Sequence, residues 1–193
     1  MQICFATSNP NKVREIQAML PDYIRLLSLK DIGCLEELAE DQSTLEGNSH
    51  QKANYVFHNY HVPCFADDTG LEVFALDGAP GVISARYAGE QRDIGANMEL
   101  LLSKLQGKED RKAQFRTVIT FINEDGKTRQ FEGVVKGAIT NNPQGGQGFG
   151  YDPIFIPKGY QQTFAQMAAD EKNKISHRAI ATQKLVKYLT KHF

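Results

Sequence analysis

The order of hydrophobic and polar positions predicts alternating strands and helices along the first half of the chain. Short apolar runs are typical of buried strands, whereas apolar residues at helical spacing indicate a helix with one buried face. The predicted strands of this half are Gln2–Ala6, Ile24–Leu29 and Val62–Ala66. The predicted helices are the segment that begins at Pro10 and ends before Pro21, then Asn48–Tyr60 and Asp93–Leu105.

The second half of the chain begins with two strand patterns that are joined by a turn. Ala113–Ile122 and Thr128–Val135 are rich in β-branched and aromatic residues, which favour strands. Glu124-Asp125-Gly126-Lys127 between them is typical of a hairpin turn. Because a hairpin follows strand–helix units, the pattern predicts an α/β fold with a mixed sheet. A last helix is predicted over Ser176–His192, with Ser176 as its N-cap.

Composition narrows the class of protein. With 193 residues, of which 41% are hydrophobic, the chain fits one globular α/β domain or one domain with two lobes. The net charge of −1 argues against a general nucleic-acid surface but leaves room for small phosphorylated ligands. Cys4, Cys34 and Cys64 are widely spaced, so structural zinc is not expected. Without a long apolar run or a basic signal-peptide start, we expect a soluble cytoplasmic protein that binds neither membrane nor nucleic acid.

Two adjacent carboxylates, Asp67 and Asp68, directly follow the predicted strand Val62–Ala66. Side chains alternate along a strand, so the two acids can share a face only if the chain turns there. Gly70 is expected to supply that turn. Two acids at the end of a strand suit a magnesium ion, which prefers oxygen ligands and keeps waters for a phosphate substrate. The alternative is an Asx-turn that only ends the strand.

A second phosphate signal lies between the first strand and the first helix, in Thr7-Ser8-Asn9-Pro10-Asn11-Lys12. Ser8 or Asn9 is the expected N-cap and Pro10 the first helical residue. Unpaired N–H groups, the positive end of the helix dipole and Lys12 in the first turn together predict an anion site. The alternative is an ordinary capped helix. The glycines of a Walker loop are missing.

A glycine-rich loop, Gly145–Pro153, carries Phe149 and Tyr151. The spacing of its glycines is wrong for a dinucleotide fingerprint, and no strand–helix–strand unit follows. The loop is therefore predicted to bring an aromatic ring against a flat ligand. The alternative is a mobile surface loop.

Taken together, these motifs resemble the inosine triphosphate pyrophosphatase family, whose members hydrolyse deaminated purine nucleotides. The shared blocks run in the family's order over nearly the whole chain: Thr7–Lys12, Asn48 with Lys52-Ala53, Ala66–Leu71, Gly78–Gly81 with Ser84–Tyr87, Gly148–Pro153 and Lys172–Arg178. The resemblance implies an elongated, two-lobed α/β fold around a central mixed β-sheet, with the active-site cleft between the lobes. It also implies a single domain over residues 1–193 and a homodimer.

The resemblance further implies magnesium-dependent hydrolysis of ITP, dITP or XTP to the monophosphate and pyrophosphate. Asp68 is the implied proton acceptor, and the implied metal ligands are Asp68, Glu40 and Asp67. The implied substrate-binding residues are Thr7, Ser8, Asn9, Pro10, Asn11, Lys12, Lys52, Thr69, Phe149, Gly150, Tyr151, Asp152, Lys172, His177 and Arg178. Lys172 and Arg178 carry donors that suit the O6 acceptor of hypoxanthine or xanthine, whereas the amino group of adenine would leave them unpaired.

Several alternatives stay open at the level of sequence. The family often has Glu-Asn-Ala where this chain has Gly47-Asn48-Ser49, and neighbouring glutamates leave the register of Glu40 open. The number of metal ions and the identity of the base within the Asp67-Asp68 pair are also open. Rival functions are a related pyrophosphatase acting on pyrimidine nucleotides, a non-catalytic nucleotide sensor and a structural protein. The Ser176-His177-Arg178 block argues against the first rival, and the acidic pair argues against the second.

Overall fold

A computed structural model describes residues 1–192 and has the predicted α/β architecture with a mixed sheet. The strands are β1 (Gln2–Phe5), β2 (Arg25–Leu27), β3 (Cys64–Val73), β4 (Pro80–Gly81), β5 (Lys112–Ile122), β6 (Thr128–Ile139) and β7 (Phe155–Pro157). The helices are α1 (Pro10–Gln17), α2 (Leu45–Tyr60), α3 (Ile94–Lys104), α4 (Ala169–Ile175) and α5 (His177–His192). Among the described residues the strands form one sheet in the order β2-β1-β3-β5-β6-β7, and β4 pairs with β3.

The sheet contains both parallel and antiparallel neighbours, which confirms the mixed-sheet prediction. β1 runs parallel to β2 and to β3, with Cys4 opposite Leu27 on one side and Cys64 on the other. β4 is antiparallel to β3, and β7 is antiparallel to β6. Within residues 1–192, no helix has both the length and the apolar character needed to cross a membrane.

β3 differs most from its prediction. It does not end at Asp67 but continues through both acids to Val73, so Asp67 and Asp68 point to opposite faces. Gly70 makes no turn: a Cβ built there would lie 2.6 Å from the carbonyl oxygen of Gly81. The glycine is needed because β4 approaches the backbone of β3 this closely. Both the strand terminus and the Asx-turn alternative are therefore wrong.

Other elements also differ from the sequence prediction. α2 begins at Leu45 rather than Asn48, because Thr44 caps it by accepting a hydrogen bond of 3.0 Å from the N–H of Gly47. β6 extends to Ile139. α4 was not expected from the sequence; it ends at Ile175, and the N–H of its C-cap, Ser176, donates to the carbonyl of Lys172.

The chain divides into two compact units. The first comprises Met1–Asp68, Thr117–Gly133 and the described residues from Arg178 onward. Its core includes stacked rings of Phe5 and Phe65, 4.6 Å apart between centroids. The second unit comprises Thr69–Arg116 and Val134–His177, with Leu71, Phe155 and Phe164 in its core. The single two-lobed domain, its elongated shape and its cleft stay predictions.

Candidate active site

The turn before α1 is organised by Asn9, which is the N-cap of that helix. Its side chain accepts hydrogen bonds from the N–H groups of Asn11 (2.9 Å) and Lys12 (3.3 Å). The N–H of Asn9 donates to the hydroxyl of Thr7 at 3.2 Å. Pro10 follows as the first helical residue, as the sequence predicts. Three N–H groups of this turn already donate hydrogen bonds within the turn. The positive charge that the turn offers to an anion therefore comes mainly from the side chain of Lys12.

The carboxylate of Asp67 joins two cations that come from distant parts of the chain. Oδ1 lies 2.9 Å from Nζ of Lys12, and Oδ2 lies 3.1 Å from Nε of Arg178. Asp67 is fully buried, and Arg178 is 1% exposed and also pairs with Glu15. Burial opposes ionisation of Asp67, but Lys12, Arg178 and Lys52 outweigh it and hold the pKa of Asp67 well below its usual range.

Lys52 occupies the space beside the same pair of acids. Its Nζ donates to the backbone carbonyl of Asp67 at 2.8 Å and to the carboxylate of Glu40. Lys52 is 4% exposed. Burial lowers the pKa of Lys52, but the charges of Asp68, Glu40 and Asp67 more than compensate and raise it, so the ammonium stays charged.

Asp68 has a different environment from Asp67. Its Oδ2 accepts a hydrogen bond of 3.0 Å from Nδ2 of Asn48, and the residue is 7% exposed. Burial raises the pKa of Asp68, and the nearby charges of Lys52 and Lys12 only partly offset this. We call Lys12, Lys52, Asp67, Asp68 and Arg178 the carboxylate–cation cluster.

The second unit contains a separate group built around Asp152, which we call the Asp152 group (Phe149, Asp152 and Lys172). Oδ2 of Asp152 accepts from the backbone N–H of Phe149 at 2.8 Å and from Nζ of Lys172 at 2.6 Å. The ammonium of Lys172 lies 5.1 Å from the centre of the half-buried Phe149 ring. A Cβ on Gly148 would lie 2.1 Å from Asp152, so only glycine leaves room for this carboxylate.

Two aromatic residues of the second unit have structural contacts. Tyr151 is 5% exposed, and its hydroxyl donates to the carbonyl of Ser84 at 2.8 Å. His177 stacks on Phe115 with ring centres 4.5 Å apart. The half-buried ring of Phe149 is therefore the better surface for a flat ligand.

The structure brings the predicted residues together in two sets. Thr7–Lys12, Glu40, Lys52, Asp67, Asp68 and Arg178 lie in the first unit, whereas Thr69, Phe149–Asp152, Lys172 and His177 lie in the second. Arg178 contacts Asp67 and Glu15 within the first unit.

Sequence reasoning assigned no site role to Glu15 or Asn48, although both contact the cluster. The available signal was helical spacing: Glu15 lies three residues after Lys12, and Asn48 lies four residues before Lys52.

The donors that could hold a divalent metal are unequal. Both carboxylate oxygens of Asp67 are bonded to cations, which makes Asp67 the poorest candidate. Glu40 bonds to the Lys52 ammonium, and Asp68 lies near enough to Lys52 for its charge to raise the pKa of that lysine. Among residues 1–192 no three acidic, histidine or cysteine side chains are grouped to bind a metal. Glu40 and Asp68 suit magnesium, because one or two protein carboxylates bind this ion and substrate oxygens and waters complete its coordination.

Comparison with known proteins identifies the family. Residues 3–188 match the sequence profile of the Ham1 family. A protein named dITP/XTP pyrophosphatase from Flavobacterium psychrophilum is 56% identical over 97% of this chain and 98% of its own length. One with the same name from Bacillus subtilis is 48% identical over 95% and 94%. The Staphylococcus aureus Ham1 protein superposes with a TM-score of 0.91, 38% identity and 100% coverage of both chains. The chain belongs to the Ham1 family.

Proposed function

We propose that this protein hydrolyses deaminated purine nucleoside triphosphates (ITP, dITP and XTP) to the monophosphate and pyrophosphate. The names of its relatives support this activity. The observation that carries the proposal is the pair of adjacent acids with different surroundings. Asp67 is neutralised by Lys12 and Arg178, whereas Asp68 has a carboxylate whose pKa burial raises.

In the proposed reaction one water molecule is consumed and the bond between the α- and β-phosphates breaks. Asp68 orients the attacking water and takes its proton as the water oxygen bonds to the α-phosphorus. Pyrophosphate leaves with the electron pair of the broken bond. Lys12 and Lys52 lie next to the two acids, where their charges stabilise the phosphates and the negative charge that grows on the leaving group.

The charge balance of the carboxylate–cation cluster together with its two neighbouring acids, Glu15 and Glu40, supports a requirement for magnesium. Three cations (Lys12, Lys52 and Arg178) face four carboxylates (Asp67, Asp68, Glu15 and Glu40), a formal sum of −1 when all are ionised. A triphosphate is itself strongly anionic, so its binding here needs added positive charge. Glu40 and Asp68 are the residues that would hold the ion. When bound, magnesium would neutralise charge on the phosphates and polarise the attacking water.

For the base, we propose contact with the Asp152 group. The half-buried ring of Phe149 offers a stacking surface. Lys172 is fixed by Asp152 and carries only donors, which suit the O6 acceptor of hypoxanthine and xanthine. Adenine presents an amino group at that position, so a donor would face a donor.

The experiment that tests this function is pyrophosphate release from ITP, dITP, XTP, dTTP and ATP, with and without magnesium. We expect release from the deaminated purines in the presence of magnesium and much slower release from ATP and dTTP. Preference for dTTP would favour the related pyrimidine pyrophosphatases. Binding of ITP without pyrophosphate release would indicate a nucleotide sensor.

The proposal includes a cytoplasmic homodimer. Cys4, Cys34 and Cys64 are buried free thiols, which suits a reducing compartment. The homodimer is implied by the resemblance to the inosine triphosphate pyrophosphatase family. Light scattering coupled to size-exclusion chromatography measures the mass directly, and a monomer at micromolar concentration would contradict the dimer.

A further inference from the structure

We propose that Asn48 is a positioning residue for the carboxylate of Asp68, an inference that rests on the proposed pyrophosphatase function. Asn48 lies on α2, one turn before Lys52, and only 1% of it is exposed. A buried amide needs hydrogen-bond partners on both its oxygen and its nitrogen. The two partners of Asn48 show what this residue does.

The orientation of the Asn48 amide follows from the first partner. The backbone N–H of Gln42 lies 2.9 Å from Oδ1 of Asn48. A backbone N–H can only donate, so the amide oxygen must face Gln42 and the NH2 group must face Asp68. That group donates to Oδ2 of Asp68 at 3.0 Å, which fixes the rotation of the carboxylate.

The same side chain also holds the segment that carries Glu40. Glu40 pairs with Lys52, and Asp41 accepts a hydrogen bond of 2.8 Å from Gln51, so residues 40–42 lie along α2. Asn48 therefore connects this segment to Asp68 through one amide. The side chain of Asn48 thus fixes the position of Asp68, the proposed proton acceptor, relative to the segment that carries Glu40, the proposed metal ligand.

The consequence for catalysis is selective. Misplacement of a reacting group by about 1 Å can cost about 100-fold in rate. Asn48 contacts Asp68 and the backbone of Gln42, whereas Lys12 and Lys52 keep their own partners without it. At saturating magnesium, loss of its amide should therefore lower kcat and change KM for the triphosphate much less.

The main test is Asn48→Asp, which keeps the size of the side chain and the acceptor for Gln42 but turns an oxygen toward Asp68. With dITP and magnesium, we expect kcat to fall about 100-fold and KM to stay within about threefold of the wild type. Asn48→Ser, whose hydroxyl can serve only one partner well, should give an intermediate kcat. Asn54→Asp is the matched control, because it makes the same chemical change on another face of α2 and should keep kcat.

Thermal melts establish which variants are folded, and Asn48→Ser decides the question if Asn48→Asp does not fold. A kcat for the folded Asn48 variants near that of the wild type overturns the inference. So does an equal loss in Asn54→Asp, or a raised KM with unchanged kcat. Absence of pyrophosphate release by the wild type would instead contradict the proposed function, so the two failures are distinguishable.

Discussion

Asp67 and Asp68 are neighbours in β3, yet the protein gives their carboxylates opposite electrostatic environments. Asp67 is pinned between Lys12 and Arg178, which hold its pKa low, whereas burial raises the pKa of Asp68. The alternation of a continuous strand makes this separation possible, because it sends the two side chains to different faces. The sequence left open which acid is the base, and the geometry favours Asp68.

The first prediction concerns Asp68→Asn, which keeps the shape of the side chain but removes the proton acceptor. We expect a loss of about 100-fold in kcat for ITP, the usual scale for loss of a general base, with the fold intact. Steady-state kinetics together with a thermal melt measure both quantities. Near-normal turnover in this variant would end the assignment of Asp68.

A second prediction concerns stability in acid. The folded pKa of Asp67 lies below its unfolded value of about 3.9, so its stabilising contribution is complete above that pH and is lost as the pH falls through the folded pKa. The free energy of unfolding of the wild type should therefore decline below about pH 4. Asp67→Asn should be less stable at pH 7, by about 3–5 kcal/mol, because two cations lose a buried partner.

In Asp67→Asn the free energy of unfolding should also decline less steeply below about pH 4 than it does in the wild type. Denaturant titrations between neutral and acidic pH measure it. Asp68→Asn is the control, because a raised pKa contributes with the opposite sign, and it should keep the acid decline of the wild type. Equal slopes for wild type and Asp67→Asn would show that the Asp67 ion pairs do not govern acid stability.

The third prediction concerns Lys12→Ala. Because the phosphates are common to all nucleotides, this change should weaken binding of every triphosphate by a similar factor. Equilibrium binding of ITP and ATP to the variant and the wild type measures the effect. A changed ratio between ITP and ATP would place Lys12 with the base instead.

Arg178→Ala separates two roles for this arginine. If Arg178 contacts the base, kcat/KM should fall more for ITP than for ATP. Its pairing with Asp67 and Glu15 favours the other outcome, in which kcat/KM falls by the same factor for both nucleotides. Lys172→Ala is the comparison, because its loss should narrow the discrimination between ITP and ATP. A smaller ratio of kcat/KM for ITP to kcat/KM for ATP in Arg178→Ala than in the wild type would show that Arg178 contacts the base.

The last prediction is structural. Gly70→Ala places a Cβ 2.6 Å from the carbonyl oxygen of Gly81, so β3 and β4 must move apart. We expect a loss of about 1–3 kcal/mol in the free energy of unfolding. Gly146→Ala is the control, since a Cβ there meets nothing within 4 Å. Equal free energies of unfolding for the two variants would show that β4 can move away from β3 with little loss of stability.

Much of the fold could be predicted from local patterns. Apolar runs located β1 and β5, and Pro10 with its polar neighbours located the start of α1. These features are local, because strand composition and capping act over a few residues. β3 was misjudged because Gly70 in a strand and Gly70 in a turn look identical until β4 is in place.

The site was harder to predict where its contacts join distant residues. Lys12 and Asp68 carried chemical signals of their own, and the resemblance added Lys52 to the predicted site residues. Asn48 belonged to a block shared with the family but was given no role, because that role depends on Gln42 and Asp68, which the sequence does not bring together. The resemblance implied a base contact for Arg178, whereas its pairing with Asp67 and Glu15 could not be inferred from the sequence.

The pairing of Asp67 with Arg178 also bears on how the protein is made. Asp67 leaves the ribosome 111 residues before Arg178 does, while Lys12 has already emerged. A growing chain can therefore form the first ion pair of this buried acid but not the second until α5 is synthesised. The complete arrangement of charge around Asp67 can thus form only after the chain has been translated beyond Arg178.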